Sequence, residues 1–211
     1  MTGVLFDLDG TLLNTLEDLL DATNYALSAH GYPQRTLSEL RKFVGNGAAN
    51  QIRLSCPEGT PEEKVQEVLA TYKPYYTAHC QVKTAPYAGC LEALAELKET
   101  YAIAIVSNKP DAAVKALCAD FFPGVYALGE TSGCPRKPAP DMLYRTMEAI
   151  GADKAVYVGD SEVDILTAKN AGIPCLSVTW GFRDLDVLEA AGGEHFCHDP
   201  RDLAKAILEL I

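Results

Sequence analysis

The apolar positions of this chain follow two different rhythms, and the switch between them divides it. Val4-Leu5-Phe6 is a continuous apolar run near the amino terminus and predicts a short buried strand. From residue 14 to residue 83 apolar residues recur at helical spacing instead. Leu16, Leu19, Leu20, Thr23 and Leu27 line one side of a helix that Gly31-Tyr32-Pro33 ends. A second helix is expected over Thr36–Phe43, stopped by Gly45-Asn46-Gly47, and a short third one is broken at Pro57-Glu58-Gly59. Pro61 then opens a longer helix with Val65, Val68, Leu69, Tyr72 and Tyr76 on one face. No strand is expected in this segment, and its tyrosines Tyr72, Tyr75 and Tyr76 read as packing rather than as a base-stacking platform.

From Pro86-Tyr87-Ala88-Gly89 onward, continuous apolar runs alternate with amphipathic ones. The runs predict strands over Ala102–Val106, Val125–Leu128, Ala155–Val158 and Cys175–Val178, with a weaker one near His195–Cys197. Helices are expected roughly over Leu91–Glu99, Ala112–Cys118, Asp141–Ile150, Val163–Asn170, Leu185–Ala190 and Leu203–Leu210. Apolar strands joined by helices predict a parallel sheet covered on both faces. The expected fold is therefore α/β, a doubly wound parallel sheet built from residues 1–13 and 84–211, with residues 14–83 inserted as an all-helical unit.

Charge follows the same division. Residues 14–83 hold 7 Lys+Arg and 8 Asp+Glu, leaving 11 and 21 for the rest, so nearly all the acidic excess belongs to the α/β part. A net charge of −11 argues against nucleic acid or an anionic membrane as partner. No apolar run approaches a membrane span and no basic-then-apolar leader opens the chain, so a cytoplasmic location is expected. The seven cysteines are scattered, without a C-x-x-C pair, and read as reduced, mostly buried thiols. His195, Cys197 and His198 lie close together, but no further ligand cluster at suitable spacing makes them a metal site.

The candidate chemistry begins where the first strand ends. Asp7 and Asp9 are one residue apart, so on a strand their side chains share a face. Like charges that close raise each other's pKa unless a cation or shared proton relieves them. Gly10 permits a sharp turn directly after them. Ligands of an open parallel sheet bind beyond the carboxyl ends of its strands. Three more polar groups are expected there: Ser107-Asn108, Lys137 within Arg136-Lys137-Pro138-Ala139-Pro140, and Gly159-Asp160-Ser161-Glu162-Val163-Asp164. Singly, each has an ordinary role as helix cap, first-turn acid or solvated lysine. Together, at one edge, they point to phosphoryl transfer. Several carboxylates bind a hard cation such as Mg²⁺ through oxygen, and lysine, hydroxyl or amide donors suit the remaining phosphate oxygens.

Asp7-Leu8-Asp9-Gly10-Thr11-Leu12, Ser107-Asn108, Lys137, and Gly159-Asp160 with Asp164 resemble the four motifs of the haloacid dehalogenase superfamily of phosphohydrolases. The likeness extends over the whole chain and is closest to phosphoglycolate phosphatase-like members, which carry a helical cap after the first motif. The resemblance implies that Asp7 attacks phosphorus and becomes an aspartyl phosphate. It implies that Asp9 protonates the leaving oxygen and then activates water, its backbone carbonyl also ligating Mg²⁺. Asp7 and Asp160 would be the other protein ligands, with Asp164 in or just behind that shell. Gly10, Thr11, Ser107 and the amide of Asn108 would hold phosphate, and Lys137 would stabilise Asp7 and the transferring group. Asp9 argues against dehalogenation itself, because members with that activity lack this second aspartate. One departure is Asn14, where many relatives carry an acid at the hinge into the cap.

The cap is expected to close over the site, exclude water and read the leaving group. It carries Arg35, Arg41, Lys42 and Arg53 against Glu39 between residues 35 and 53. Arg41, Lys42 or Arg53 would meet a second anionic group such as a carboxylate; the competing reading for each is a solvated helix-surface charge. Gly45 and Asn46, in Gly45-Asn46-Gly47, resemble the loop by which such caps approach the site, or else form a plain interhelical turn. The expected activity is Mg²⁺-dependent hydrolysis of a small phosphorylated metabolite, 2-phosphoglycolate first, by a monomer or homodimer. A pyrophosphatase, a nucleotide or sugar phosphatase and a phosphomutase are the alternatives within the superfamily. A phosphate-binding regulatory protein is disfavoured by the intact Asp7, Asp9, Lys137 and Asp160. A receiver-type signalling domain is disfavoured by the insertion and by the early position of the aspartate pair.

Overall fold

The computed structural model describes residues 1–211. Val4, Leu5 and Phe6 have no polar face to offer water, and β1 (Thr2–Phe6) accordingly lies inside the sheet. The chain then turns through β2 (Leu13–Asn14) into four helices: α1 (Leu16–Ala29), α2 (Leu37–Phe43), α3 (Gly47–Ser55) and α4 (Glu62–His79). It returns through β3 (Ala85–Pro86) and continues as α5 (Cys90–Leu97), β4 (Ala102–Pro110), α6 (Asp111–Phe121), β5 (Tyr126–Glu130) and α7 (Asp141–Ile150). β6 (Lys154–Gly159), α8 (Glu162–Ala171), β7 (Cys175–Val178), α9 (Leu185–Ala190), β8 (His195–Cys197), a 3-10 turn and α10 (Leu203–Leu208) complete it. Six strands form one sheet in the order β5-β4-β1-β6-β7-β8, every neighbouring pair parallel.

Alternation along the strands loads both faces. Val4 and Phe6 of β1 join Ile103, Ile105, Val158 and Leu176 in the larger apolar core, which runs under α5, α6 and α10 and onward into the four-helix insert. Leu5 points the other way, with Ala104, Val106, Ala155 and Tyr157, against Met142 and Leu143 of α7 and Ala168 of α8. This is the doubly wound α/β sheet expected from the continuous apolar strands. Within the insert, Tyr72 and Tyr76 are fully buried and stacked with ring centroids 5.4 Å apart. No helix is long and apolar enough to cross a membrane.

Three expectations are corrected. Segment 14–83 is not free of strand, because Asn14 belongs to β2, which pairs antiparallel with β3 (Leu13 opposite Pro86, Asn14 opposite Ala85). A two-residue strand has too few positions to show periodicity. Ser107 and Asn108 do not follow β4 but lie within it, inside an irregularity between Val106 and Pro110. β5 starts and ends later than Val125–Leu128, running Tyr126–Glu130 because it pairs with that extension, Pro110 opposite Glu130.

The paired strands where the insert joins the sheet are tied down by one buried acid. Asp18 of α1 accepts from the Lys83 and Thr84 amides (3.0 and 2.8 Å) and from the Thr84 hydroxyl (2.8 Å). Replacing it leaves three donors without a partner in a dry environment, which costs more than the bonds contribute. Asp18→Ala is expected to lower unfolding free energy by about 2–3 kcal/mol, and Asp18→Asn, which keeps an acceptor oxygen, by less. Urea midpoints of the two variants check this.

Candidate active site

The carboxyl ends of β1, β4 and β6 lie side by side, and the polar residues that follow or end these strands meet in one cleft. The Asp7 amide still donates to Val158 O at 2.8 Å, so Asp7 continues the β1–β6 ladder into the cleft. Asp160 follows the end of neighbouring β6. The first turn of α8 then brings Asp164 back over it. Carboxylate oxygens of Asp7, Asp160 and Asp164 lie within 4.8 Å of one another, all three residues buried.

Lys137 reaches this cluster from the loop before α7. Its Nζ donates to Asp7 Oδ1 at 2.7 Å, to Asp164 Oδ1 at 2.8 Å and to the Tyr157 hydroxyl at 2.8 Å. Asn108 of β4 holds that loop by its backbone: Asn108 Nδ2 donates to Lys137 O and the Lys137 amide to Asn108 Oδ1, both at 2.9 Å. Three carboxylates therefore share one ammonium, a formal charge of −2 if all ionise. Burial pushes Asp7 up to about 7 from its ordinary 3.8, with Lys137 opposing and Asp164 and Asp9 reinforcing. Burial likewise holds Asp160 well above its ordinary value, helped by the Asp164 and Asp7 charges. Burial alone would lower Lys137, but Asp164 and Asp7 outweigh it and hold the ammonium protonated.

The cluster fits a divalent cation of the hard, oxygen-seeking kind. Two positive charges match the excess of two carboxylates, and all the donors are oxygens. The backbone is also cleared around Asp160: a Cβ at Gly10 would stand 2.2 Å from Asp160 Oδ2, and one at Gly181 2.3 Å from Asp160 Cβ. Gly10 has φ +84, the left-handed region that other residues avoid. Asp160 is aimed by the Phe182 amide, which donates to Oδ2 at 2.6 Å, and by Thr11 Oγ1, which donates to Oδ1 at 3.4 Å. Asp164 is more fully engaged by protein: Oδ1 accepts from Lys137 and Tyr157, and Oδ2 from the Ser161 amide (3.1 Å) and hydroxyl (2.6 Å).

Asp9 lines the same cleft but its carboxylate does not join the cluster. β1 ends at Phe6, the chain turns at Gly10, and Asp9 pairs instead with Lys109, Nζ to Oδ1 and Oδ2 at 2.6 and 2.8 Å. The cleft is lined from the insert's side by Leu19, Val44, Gly45, Gly47, Ala48, Gln51 and Tyr72. Of the residues singled out in the sequence, it brings together Asp7, Asp9, Ser107, Asn108, Asp160 and Gly45; Lys137 and Asp164 stand directly behind Asp7. Arg41, Lys42, Asn46 and Arg53 do not line it. Arg41 donates to Gly181 O and Asp184, Arg53 pairs with Glu62 on the surface, and Lys42 is exposed. Lys109, Gln51, Phe182 and Arg183 line the cleft without having been singled out, and Ser161 lines it from within the Gly159–Asp164 motif. Lys109 had a signal: two neighbouring aspartates call for two cations, and Lys137 supplies one.

Arg183 joins the insert to the sheet. It pairs with Glu162 at 2.7 Å and donates to Arg41 O and Val44 O, at 2.9 and 2.7 Å, where α2 ends. Carbonyls at a helix C-terminus lack intrahelical partners and carry partial negative charge, so a guanidinium satisfies them well.

Comparison with known proteins agrees with this geometry. The sequence profile of the family described as haloacid dehalogenase-like hydrolase matches residues 4–178. A phosphoglycolate phosphatase of Mesorhizobium japonicum is 36% identical over 197 residues, 88% of this chain and 86% of its own length. One from Cereibacter sphaeroides is 32% identical over 99% of this chain and 100% of its own. The crystal structure of a Lactobacillus delbrueckii subsp. bulgaricus protein described as a candidate phosphoglycolate phosphatase superposes with a TM-score of 0.91 at 37% identity, covering 97% of each chain.

The raised carboxyls make stability depend on pH in a definite sense. Between about 4 and about 7 the folded chain keeps a proton on Asp7 that the unfolded chain has released, so this contribution is present at low pH and lost as pH rises through that window. In EDTA, the melting temperature is expected to fall from about pH 5 to about pH 8, and Asp160→Asn to flatten the fall. Added divalent cation should restore more stability at the higher pH, since it replaces that proton. Thermal melts across pH check all three.

Proposed function

This chain belongs to the haloacid dehalogenase-like hydrolase family and is a phosphoric monoester hydrolase, and we propose that it is a Mg²⁺-dependent phosphatase working through an aspartyl phosphate on Asp7. The observation that carries this reading is the buried trio Asp7, Asp160 and Asp164 with a single ammonium, Lys137, among them. Asp7 and Asp160, with the Asp9 backbone carbonyl that the family resemblance adds, would hold Mg²⁺. The ion supplies positive charge against the phosphate oxygens. Asp164, its oxygens already taken by Lys137, Tyr157 and Ser161, serves from behind by orienting Lys137.

In this reading a carboxylate oxygen of Asp7 attacks phosphorus while the ester oxygen leaves with a proton from Asp9. Asp9, now a base, takes a proton from water, whose oxygen attacks the same phosphorus and releases phosphate and free Asp7. Using separate carboxylates lets one stay a nucleophile while the other carries the proton. Lys137 opposes protonation of Asp7 and offsets charge on the transferring group. Ser107 and the backbone amide of Asn108 hold phosphate oxygens; the Asn108 side chain is engaged with Lys137 and, at 3.1 Å, with Gly45 O. Residues 14–83 act as a cap that swings on the β2–β3 pair and covers the reacting groups.

The proposed substrate is 2-phosphoglycolate, supported by relatives of that name over nearly the whole chain. Arg41 and Arg53 are occupied by Asp184 and Glu62, so recognition of a second anionic group falls to groups that line the cleft.

Phosphate release across a panel of metabolites tests both levels. With Mg²⁺, 2-phosphoglycolate is expected to turn over faster than sugar or nucleotide phosphates, and EDTA to abolish all release. Asp7→Asn should lose about 10³-fold or more in kcat. Sugar phosphates cleaved equally well would remove the substrate, and full activity in Asp7→Asn would remove the mechanism.

A further inference from the structure

A second ion pair stands in the cleft, separate from the carboxylate trio. Lys109 Nζ contacts both oxygens of Asp9 at 2.6 and 2.8 Å, and Thr15 Oγ1 donates to Asp9 Oδ1 at 2.6 Å. The lysine side chain is 2% exposed and the aspartate 12%. Over the ammonium lies the Tyr76 ring of α4, its centroid 4.7 Å from Nζ. Tyr76 is itself buried, and its hydroxyl has no hydrogen-bond partner, so the ring rather than the hydroxyl is what the site uses.

Burying an ammonium is unfavourable unless it is paired, and neutralising Asp9 alone would not require a lysine this deep. The geometry offers a different reason. A carboxylate gripped at both oxygens by one donor, and at one of them by a second, has lost its freedom to rotate. An ammonium has three donors; two go to Asp9, and the aromatic face covers another side by a cation–π contact. Lys109 therefore has little left for a phosphate, although it lines the cleft. We infer that Lys109 is a positioning residue that fixes the Asp9 carboxyl group so that its protonated form gives the proton to the leaving oxygen and its ionised form takes one back from water, and that Tyr76 of the cap holds Lys109 in place. The inference rests on Asp9 being the proton donor. It gives the cap a part in the chemistry besides covering the cleft, because the ring that holds the aligning lysine belongs to the insert.

The test exploits leaving groups that need no proton. kcat/KM is measured with Mg²⁺ for a primary alkyl phosphate that the wild type turns over and for p-nitrophenyl phosphate, whose phenolate departs unprotonated. This ratio reports only the steps up to transfer onto Asp7. Lys109→Met is expected to lose about 100-fold on the alkyl ester and less than about 5-fold on the aryl ester. Tyr76→Leu, which keeps the charge and removes only the ring, should lose in the same direction by a smaller factor; it carries the test if Lys109→Met does not fold. Equal losses on the two esters would overturn the inference, because support of the cleft or of phosphate binding does not depend on the leaving group. Asp9→Asn runs beside them. If it discriminates between the esters and Lys109→Met does not, the positioning role alone falls. If Asp9→Asn fails to discriminate, the donor assignment falls, and the role of Lys109 with it.

Discussion

Lys137 places one ammonium between Asp7 and Asp164, 2.7 and 2.8 Å away, while Asp160 adds a third carboxylate that pairs with no cation and feels Arg183 only through its field. The arrangement is held in the dry interior, where an uncompensated charge is costly. Protons on Asp7 and Asp160 relieve it in part, and a divalent cation would relieve the rest. The surrounding structure follows from that constraint. Gly10 and Gly181 keep backbone away from Asp160, Asn108 clamps the loop that delivers Lys137, and Tyr157 sits where it can share the ammonium.

The parallel sheet makes such a concentration of acid possible. β1 and β6 are neighbours, so the residues after their carboxyl ends are neighbours too, although about 150 positions separate Asp7 from Asp160 in the chain. The Phe182 amide compensates part of the cost by donating to Asp160. That amide lies in the segment after β7 that also meets the insert: Gly181 O accepts from Arg41, and Arg183 donates to the end of α2. One short segment therefore touches both the acidic cluster and the helices above it, so the insert and the site are joined by hydrogen bonds as well as by covering.

The two lysines divide the two aspartates between them. Strand alternation puts Asp7 and Asp9 toward one cleft, but β1 stops at Phe6 and the turn at Gly10 sends the carboxylates to different partners. Asp7 faces Lys137, Asp160 and Asp164, and Asp9 faces Lys109, Thr15 and the insert. Separation of this kind would allow two carboxyl groups of one short motif to do the unlike work proposed for them, one as nucleophile and one as proton carrier, without sharing a proton.

Much of this was legible in residue order. Continuous apolar runs such as Val4–Phe6 and Ala102–Val106 can only be buried on both faces, so the doubly wound sheet follows from pattern; helical spacing from Leu16 to Tyr76 likewise marks the insert. Residue type was enough to identify Asp7, Asp9, Ser107, Lys137 and Asp160 as a set, because carboxylates, hydroxyl and lysine after strand ends have few other reasons to occur together. Pairing was not legible, since it depends on distance in space. That Arg53 answers Glu62, that Arg41 answers Asp184, that Lys109 grips Asp9 under Tyr76, and that β2 finds β3 are decided by which surfaces come together when the insert folds onto the sheet. A local pattern records what each residue avoids or seeks; only the packed chain determines which of several chemically equivalent partners it meets.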